Sequence, residues 1–134
     1  MQPTSLEALS IFAEAAQDLV TAGLEHSLGR HFACLDACNQ SAEKALQAVM
    51  WAQYGHRAPY THDLAALGAT VAAPEEICAA LAALTPFHPE AFYAHTTPEL
   101  ADDRLSAEEA AAGMVQARQV LRWARHLVVG DHPM

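Results

Sequence analysis

Positive charge, aromatic side chains and long apolar runs are all scarce in this chain of 134 residues. Lysine and arginine together number 7 against 16 aspartates and glutamates, which leaves a formal net charge of −9. A chain this acidic lacks the sequence-wide electrostatic footprint that binds duplex DNA or an anionic membrane surface. No stretch approaches the roughly 20 apolar residues of a membrane-spanning helix. We therefore expect neither duplex DNA nor a membrane as a partner.

Cysteine is also scarce, and its spacing suits neither a disulfide framework nor a metal site. Cys34 and Cys38 lie four residues apart on a predicted apolar stripe, and Cys78 is distant from both. One straight helix cannot readily supply the four tetrahedral ligands of a zinc site, and buried cysteine behaves as a small hydrophobe. No segment with the features of a signal peptide opens the chain. We expect core thiols, no metal and a reducing, cytoplasmic compartment.

Alanine dominates what is present, at 30 of the 134 residues. No alternating strand pattern occurs, and apolar residues instead recur at helical spacing. Three long helices and two short ones are predicted, within residues 4–23, 27–54, 61–71, 75–84 and 106–130. The sequence thus predicts one all-α domain over residues 1–134, an up-and-down bundle of about five helices.

The predicted first helix carries signals for both its start and its buried face. Thr4 followed by Glu7 matches a capping box, in which each side chain bonds to the other residue's backbone N–H group. Ser106 and Glu109 repeat this pattern before the last helix, and Thr61 is the predicted N-cap of the third. The spacing predicts that the first helix buries Leu9, Phe12, Ala16, Leu19, Val20 and Gly23.

A polar stripe shares the long second helix with the apolar one. Its members lie three or four residues apart: Asp36, Gln40, Glu43, Lys44 and Gln47. Taken alone, this pattern is typical of a solvated helix face with weak local ion pairs. Lys44 is the only lysine in the chain, so it is the stripe's one candidate contact for a phosphate group.

The segment QSAEKALQA at residues 40–48, the sequence THDL at 61–64 and the final helix that Ser106 introduces together resemble the HEPN family, the higher eukaryote and prokaryote nucleotide-binding domain. Segments near both ends are similar to the first and last helices of that family, so the resemblance spans about residues 5–129. It implies a helical bundle that binds nucleotides and forms a homodimer. In prokaryotes it also implies a minimal nucleotidyltransferase as partner, often in a toxin–antitoxin pair.

The resemblance also implies a nucleotide site. Its expected members are Gln40, Glu43, Lys44, His62, Asp63 and Tyr93. Lys44 would face a phosphate, Glu43 would orient Lys44, and His62 would act as a hydrogen-bonding or acid–base group. A bound nucleotide such as ATP or GTP is expected, and no other cofactor. Phe92 stands where stand-alone members usually carry arginine, which removes one cation from the site. The residues alone favour a structural role, in which His62 and Asp63 pin the third helix to the second.

Two alternatives to nucleotide binding remain open. Ribonuclease members of the wider superfamily carry an arginine and a histidine separated by four to six residues, and Arg57 with His62 and Arg125 with His132 fit that spacing. In that case the protein would be a metal-independent endoribonuclease toxin, with Arg57 and His62 as the catalytic candidates and RNA as its substrate. The other alternative is a non-enzymatic dimeric docking module. The preferred hypothesis, nucleotide binding, predicts no catalysis by this chain alone.

Overall fold

The computed structural model describes residues 5–58, 61, 63–89 and 98–130. Its helices are α1 (Leu6–Ser27), α2 (His31–Tyr54), α3 (Leu64–Thr70), α4 (Glu75–Leu84), α5 (Pro98–Ala101) and α6 (Ala107–Val128). A 3₁₀ turn, Asp102–Arg104, joins α5 to α6. These ranges contain no strand. The predicted all-α bundle of three long and two short helices is confirmed, with α5 as an additional single turn.

The three long helices form the body of the bundle. Three residues link α1 to α2, so the two helices run antiparallel. Cys34 Sγ lies 3.9 Å from the carbonyl oxygen of Ala110, which places the start of α2 beside the start of α6. His26 Nε2 lies 3.3 Å from the carbonyl oxygen of Ala107, which places the end of α1 at the same point. The helix α2 therefore runs parallel to α6, and α1 runs opposite to both.

Alanine lets α1 pack closely on the rest of the bundle. Ala8, Ala15 and Ala22 are spaced seven residues apart and are fully buried. The predicted register of this helix is wrong at its centre, because Ala16 is exposed and Val20 is 57% exposed. Leu9, Phe12 and Leu19 are half-buried at the edges of the interface. Small residues occupy the line of closest approach, so the larger apolar side chains fall on either side of it.

Capping residues define the ends of α1 and α6. Ser5, not Thr4, is the N-cap of α1, and its Oγ accepts a hydrogen bond from the N–H of Ala8 at 3.2 Å. Thr4 lies outside the described residues. The predicted capping box of α6 is confirmed, because Ser106 and Glu109 each bond to the other's backbone N–H.

The cap of α3 falls two residues later than predicted. Asp63 Oδ1 accepts from the N–H of Ala66 at 3.1 Å, which makes Asp63 the N-cap. Thr61 Oγ1 instead accepts from the N–H of Asp63 at 3.1 Å. Thr61 therefore shapes the approach to the helix, and the carboxylate supplies the cap itself.

The core of α2 contains both of its cysteines. Cys34 and Cys38 are fully buried, as predicted, and both thiols are free. Their mutual hydrogen bond, together with burial, raises the pKa of Cys38 well above its ordinary value. The same hydrogen bond lowers the pKa of Cys34. Full burial of both side chains places the thiols in the core, where cysteine packs as a small hydrophobe. Among the described residues, no helix is long and apolar enough to span a bilayer.

A candidate ligand-binding cleft between α1 and α2

A cleft of about 410 Å³ lies along the groove between α1 and α2. It is lined by Ile11, Glu14, Gln40, Glu43, Lys44, Gln47, Arg57 and Ala58. Its volume falls within the range of roughly 300–1,000 Å³ that is usual for small-molecule sites. Polar residues predominate in the lining, while Ile11 and Ala58 supply apolar surface.

Helical spacing explains why these residues meet. Gln40, Glu43, Lys44 and Gln47 recur every three or four residues, so they share one face of α2. Close packing brings the matching face of α1 against them: Ser41 Oγ donates a hydrogen bond of 2.7 Å to the carbonyl oxygen of Ala15. The polar stripe is consequently half-buried rather than solvated, because α1 forms the opposite wall.

Lys44 is tied to α1 by an ion pair. Its Nζ lies 2.9 Å from Oδ2 of Asp18, and the two side chains are 36% and 24% exposed. The sequence suggested Glu43 as the residue that orients Lys44, and the carboxylate that pairs with Lys44 in the structure is that of Asp18. Neighbouring residues on a helix project about 100° apart, so a carboxylate across the helix interface reaches Lys44 better than its sequence neighbour does.

The segment after α2 closes one end of the cleft. Gly55 adopts the left-handed conformation, with φ at 73°, and turns the chain away from the helix axis. Gln47 Oε1 then accepts a hydrogen bond of 3.0 Å from the N–H of Ala58. This bond fixes the position of the segment that carries Arg57. The Arg57 side chain is exposed at the cleft and forms no ion pair with any described residue.

The polar stripe continues past the cleft to Asp36, which sits in an unusual environment. Burial raises the pKa of Asp36, while a hydrogen bond from Gln40 and the nearby charge of His88 act in the opposite direction. The charge of Asp18 adds to the increase. Asp36 Oδ1 is buried and accepts no hydrogen bond from a described residue. This end of the stripe is therefore poor in solvation and rich in negative charge.

The structure brings together four of the predicted binding or catalytic residues, Gln40, Glu43, Lys44 and Arg57, together with Gln47 of the polar stripe. Asp63 does not line the cleft; it caps α3. Three further predicted members, His62, Tyr93 and His132, lie outside the described residues, as does Phe92. Arg125 is exposed on α6 and does not line the cleft.

Sequence reasoning missed the contribution of α1. Ile11 and Glu14 form a wall of the cleft, and Asp18 holds Lys44. The available signal was the spacing of Glu14 and Asp18, which are four residues apart on one face of α1. Within the described ranges, no group of three or more histidine, cysteine, aspartate or glutamate side chains is suited to hold a metal ion.

Comparison with known proteins establishes the family. A sequence model described as the HEPN domain matches residues 8–127, nearly the whole chain. The chain belongs to the HEPN domain family. None of the curated proteins compared with it matches.

Two solved structures share the fold of this HEPN domain. One is TT1696 from Thermus thermophilus, with a TM-score of 0.81 and 22% identity, over 92% of this chain and 99% of the other. The second, ST0689, is described as an archaeal HEPN homologue, with a TM-score of 0.79, 18% identity and the same coverage of both chains. At these identities the likeness shows the fold alone.

Proposed function

We propose that this HEPN domain binds a nucleotide, such as ATP or GTP, in the cleft between α1 and α2. The observation that carries the proposal is the convergence of Gln40, Glu43, Lys44 and Arg57 on one cleft of about 410 Å³. Guanidinium and ammonium groups bind phosphate oxygens through charge-assisted hydrogen bonds. The amides of Gln40 and Gln47 carry donors and acceptors for a base or sugar.

The test is a binding measurement on the wild type and on two cleft variants, Lys44→Ala and Arg57→Ala. Arg57→Ala should weaken ATP or GTP binding about tenfold to a hundredfold by calorimetry, because a charge-assisted contact contributes about 1.5–3 kcal/mol. Lys44→Ala should weaken binding by less, because Asp18 shares the Lys44 ammonium. Arg122→Ala is the matched control, since Arg122 is exposed on α6 and does not line the cleft. Wild-type protein that binds no nucleotide would contradict the proposal.

The same proteins distinguish the two alternative functions. We expect no cleavage of a short RNA by the wild-type chain alone. Cleavage that Arg57→Ala and His62→Ala both abolish would support the endoribonuclease instead. Failure to bind nucleotide and failure to cut RNA would together leave the non-enzymatic docking module.

We further propose that the domain acts in the cytoplasm beside a minimal nucleotidyltransferase, in a prokaryotic toxin–antitoxin-type pair. Membership of the HEPN family supports this partnership, and so does a cleft suited to the same class of ligand that such an enzyme uses. A neighbouring reading frame that encodes a nucleotidyltransferase, and co-purification of its product with this chain, would test it. A chain that co-purifies with no such enzyme when the two are co-expressed would contradict the partnership.

We also propose a homodimer. Val20 and Leu24 on the outer surface of α1 are 57% and 61% exposed, and the C-cap residue Leu28 is 69% exposed. Their four-residue spacing forms one stripe along the helix. A second copy of the chain would cover this apolar surface. Sedimentation equilibrium at micromolar concentration should show a dimer that Leu24→Glu weakens. A species of 14.4 kDa at every concentration would contradict the assembly.

A further inference from the structure

Carboxylates already match the positive charges of the cleft before any ligand binds. Its lining holds two formal positive charges, on Lys44 and Arg57, and two formal negative charges, on Glu14 and Glu43. Asp18 adds a third carboxylate, 2.9 Å from Lys44. The cleft and this adjoining carboxylate together therefore carry more negative than positive charge.

Internal contacts reduce the positive charge that a ligand can use. The ammonium of Lys44 is already engaged by Asp18, so a phosphate would have to share it. The backbone N–H of Ala58 is also engaged, because it donates to Gln47. Arg57 is exposed and makes no ion pair with a described residue. Its planar guanidinium can hold one phosphate group through two parallel hydrogen bonds.

A chain of phosphates would fit this arrangement poorly. A terminal phosphate carries a charge of about −1.5 to −2 at neutral pH, and each phosphate added before it brings further negative charge. Sites for di- and triphosphates commonly meet that charge with successive backbone N–H groups or with several cations. Here Glu14 and Glu43 would instead lie beside the added phosphates and repel them.

The same carboxylates favour the sugar of a ribonucleotide. A carboxylate accepts hydrogen bonds from ribose hydroxyl groups, as acidic residues do in many dinucleotide-binding sites. Glu14 and Glu43 come from opposite walls, α1 and α2, so they provide acceptors on both sides of a bound sugar. The net charge of −9 disfavours a polyanionic strand as the source of this nucleotide unit.

We infer that the cleft selects a free ribonucleoside monophosphate over the corresponding di- and triphosphates, with the phosphate on Arg57 and the ribose hydroxyls on Glu14 and Glu43. This inference rests on the proposed nucleotide-binding function and specifies its ligand class. The ammonium of Lys44 contributes to phosphate binding only in so far as Asp18 releases it.

The direct test is calorimetry of the full chain with the mono-, di- and triphosphates of adenosine and guanosine, with EDTA and again with Mg²⁺. Affinity should fall with each added phosphate, to about tenfold weaker for the triphosphate in EDTA. Removing the 2′-hydroxyl from the monophosphate should also weaken binding. A triphosphate that binds as tightly as the monophosphate in EDTA, or more tightly, would overturn the inference and leave the proposed function standing. Absence of binding by all six nucleotides would defeat both.

A pair of variants tests the role of charge balance. Asp18→Asn removes the carboxylate charge that holds Lys44, so the triphosphate should gain affinity and the preference for the monophosphate should shrink about fivefold. Asp103→Asn is the matched control, because it removes an exposed carboxylate from the turn before α6 and should leave the preference unchanged. If Asp18→Asn leaves the preference for the monophosphate unchanged, charge balance does not cause the selectivity and the inference is contradicted. Tighter binding of a ten-nucleotide single-stranded RNA than of the monophosphate would also contradict it.

Discussion

The two faces of α2 differ in burial and polarity, although both belong to one continuous helix. The face toward the core is fully buried or nearly so, and consists of Cys34, Leu35, Cys38, Ala42, Ala45, Leu46 and Val49. The face toward α1 is polar and half-buried, and consists of Asp36, Gln40, Glu43, Lys44 and Gln47. A polar stripe on a free helix would be solvated. The difference shows that partial coverage by a neighbouring helix is what converts an ordinary polar face into the wall of a cleft.

The largest expected difference between the two faces of α2 is the loss in free energy of unfolding when a side chain on each is truncated. Leu46→Ala removes a side chain that is 1% exposed and should lower the free energy of unfolding by about 2–5 kcal/mol. Lys44→Ala removes a partly exposed ion pair and should cost less than about 1 kcal/mol. Urea denaturation of both variants measures the difference. Equal losses would mean that the polar stripe belongs to the core.

A smaller difference in stability is expected when a buried and an exposed alanine of α1 are each replaced by leucine. Ala15→Leu places a larger side chain at the contact with α2, where Ala15 is fully buried. It should destabilise the fold by about 1–3 kcal/mol through overpacking. Ala16→Leu, one residue later and exposed, should change stability by less than about 0.5 kcal/mol. The reverse order in urea denaturation would restore the register inferred from the sequence.

The smallest expected effect is a pH-dependent gain in stability when Asp36, at the end of the polar stripe, is replaced by asparagine. Because burial raises the pKa of Asp36, the ionised form destabilises the folded state once the pH exceeds the unfolded value of about 3.9. Asp36→Asn should therefore raise the urea midpoint at pH 7, and the gain should shrink as the pH falls toward 3. A gain that is equal at both pH values would assign the effect to hydrogen bonding with Gln40 instead of ionisation.

Local signals in the sequence predicted much of the fold. The capping box at Ser106 and the helix-ending Gly55 depend on neighbouring residues, so they are readable without a structure. The register of α1 could not be predicted in this way, because its 22 residues carry alanine on several faces. The partner helix determines which of these alanines lie at the closest approach. Asn39 illustrates the same limit, since its burial is explained by a hydrogen bond to the carbonyl oxygen of Leu84, far along the chain.

The candidate site was predictable to the extent that it lies on one helix. Gln40, Glu43 and Lys44 share a face of α2, and helical periodicity alone puts them together. The pairing of Lys44 with Asp18 joins residues 26 positions apart, and no local rule specifies such a contact. Arg57 reaches the cleft because Gln47 holds the following backbone, a side-chain contact that spacing does not reveal.

The single lysine also gives the molecule a built-in chemical handle. Lys44 is the only side chain in the sequence that carries a primary amine, and it sits at the cleft with 36% of its surface accessible. A reagent specific for primary amines would therefore attach a reporter at this one side chain, apart from the chain's terminal amine. The labelling rate of Lys44 would report how often its ion pair with Asp18 opens. A ligand bound in the cleft would slow the labelling by covering the amine.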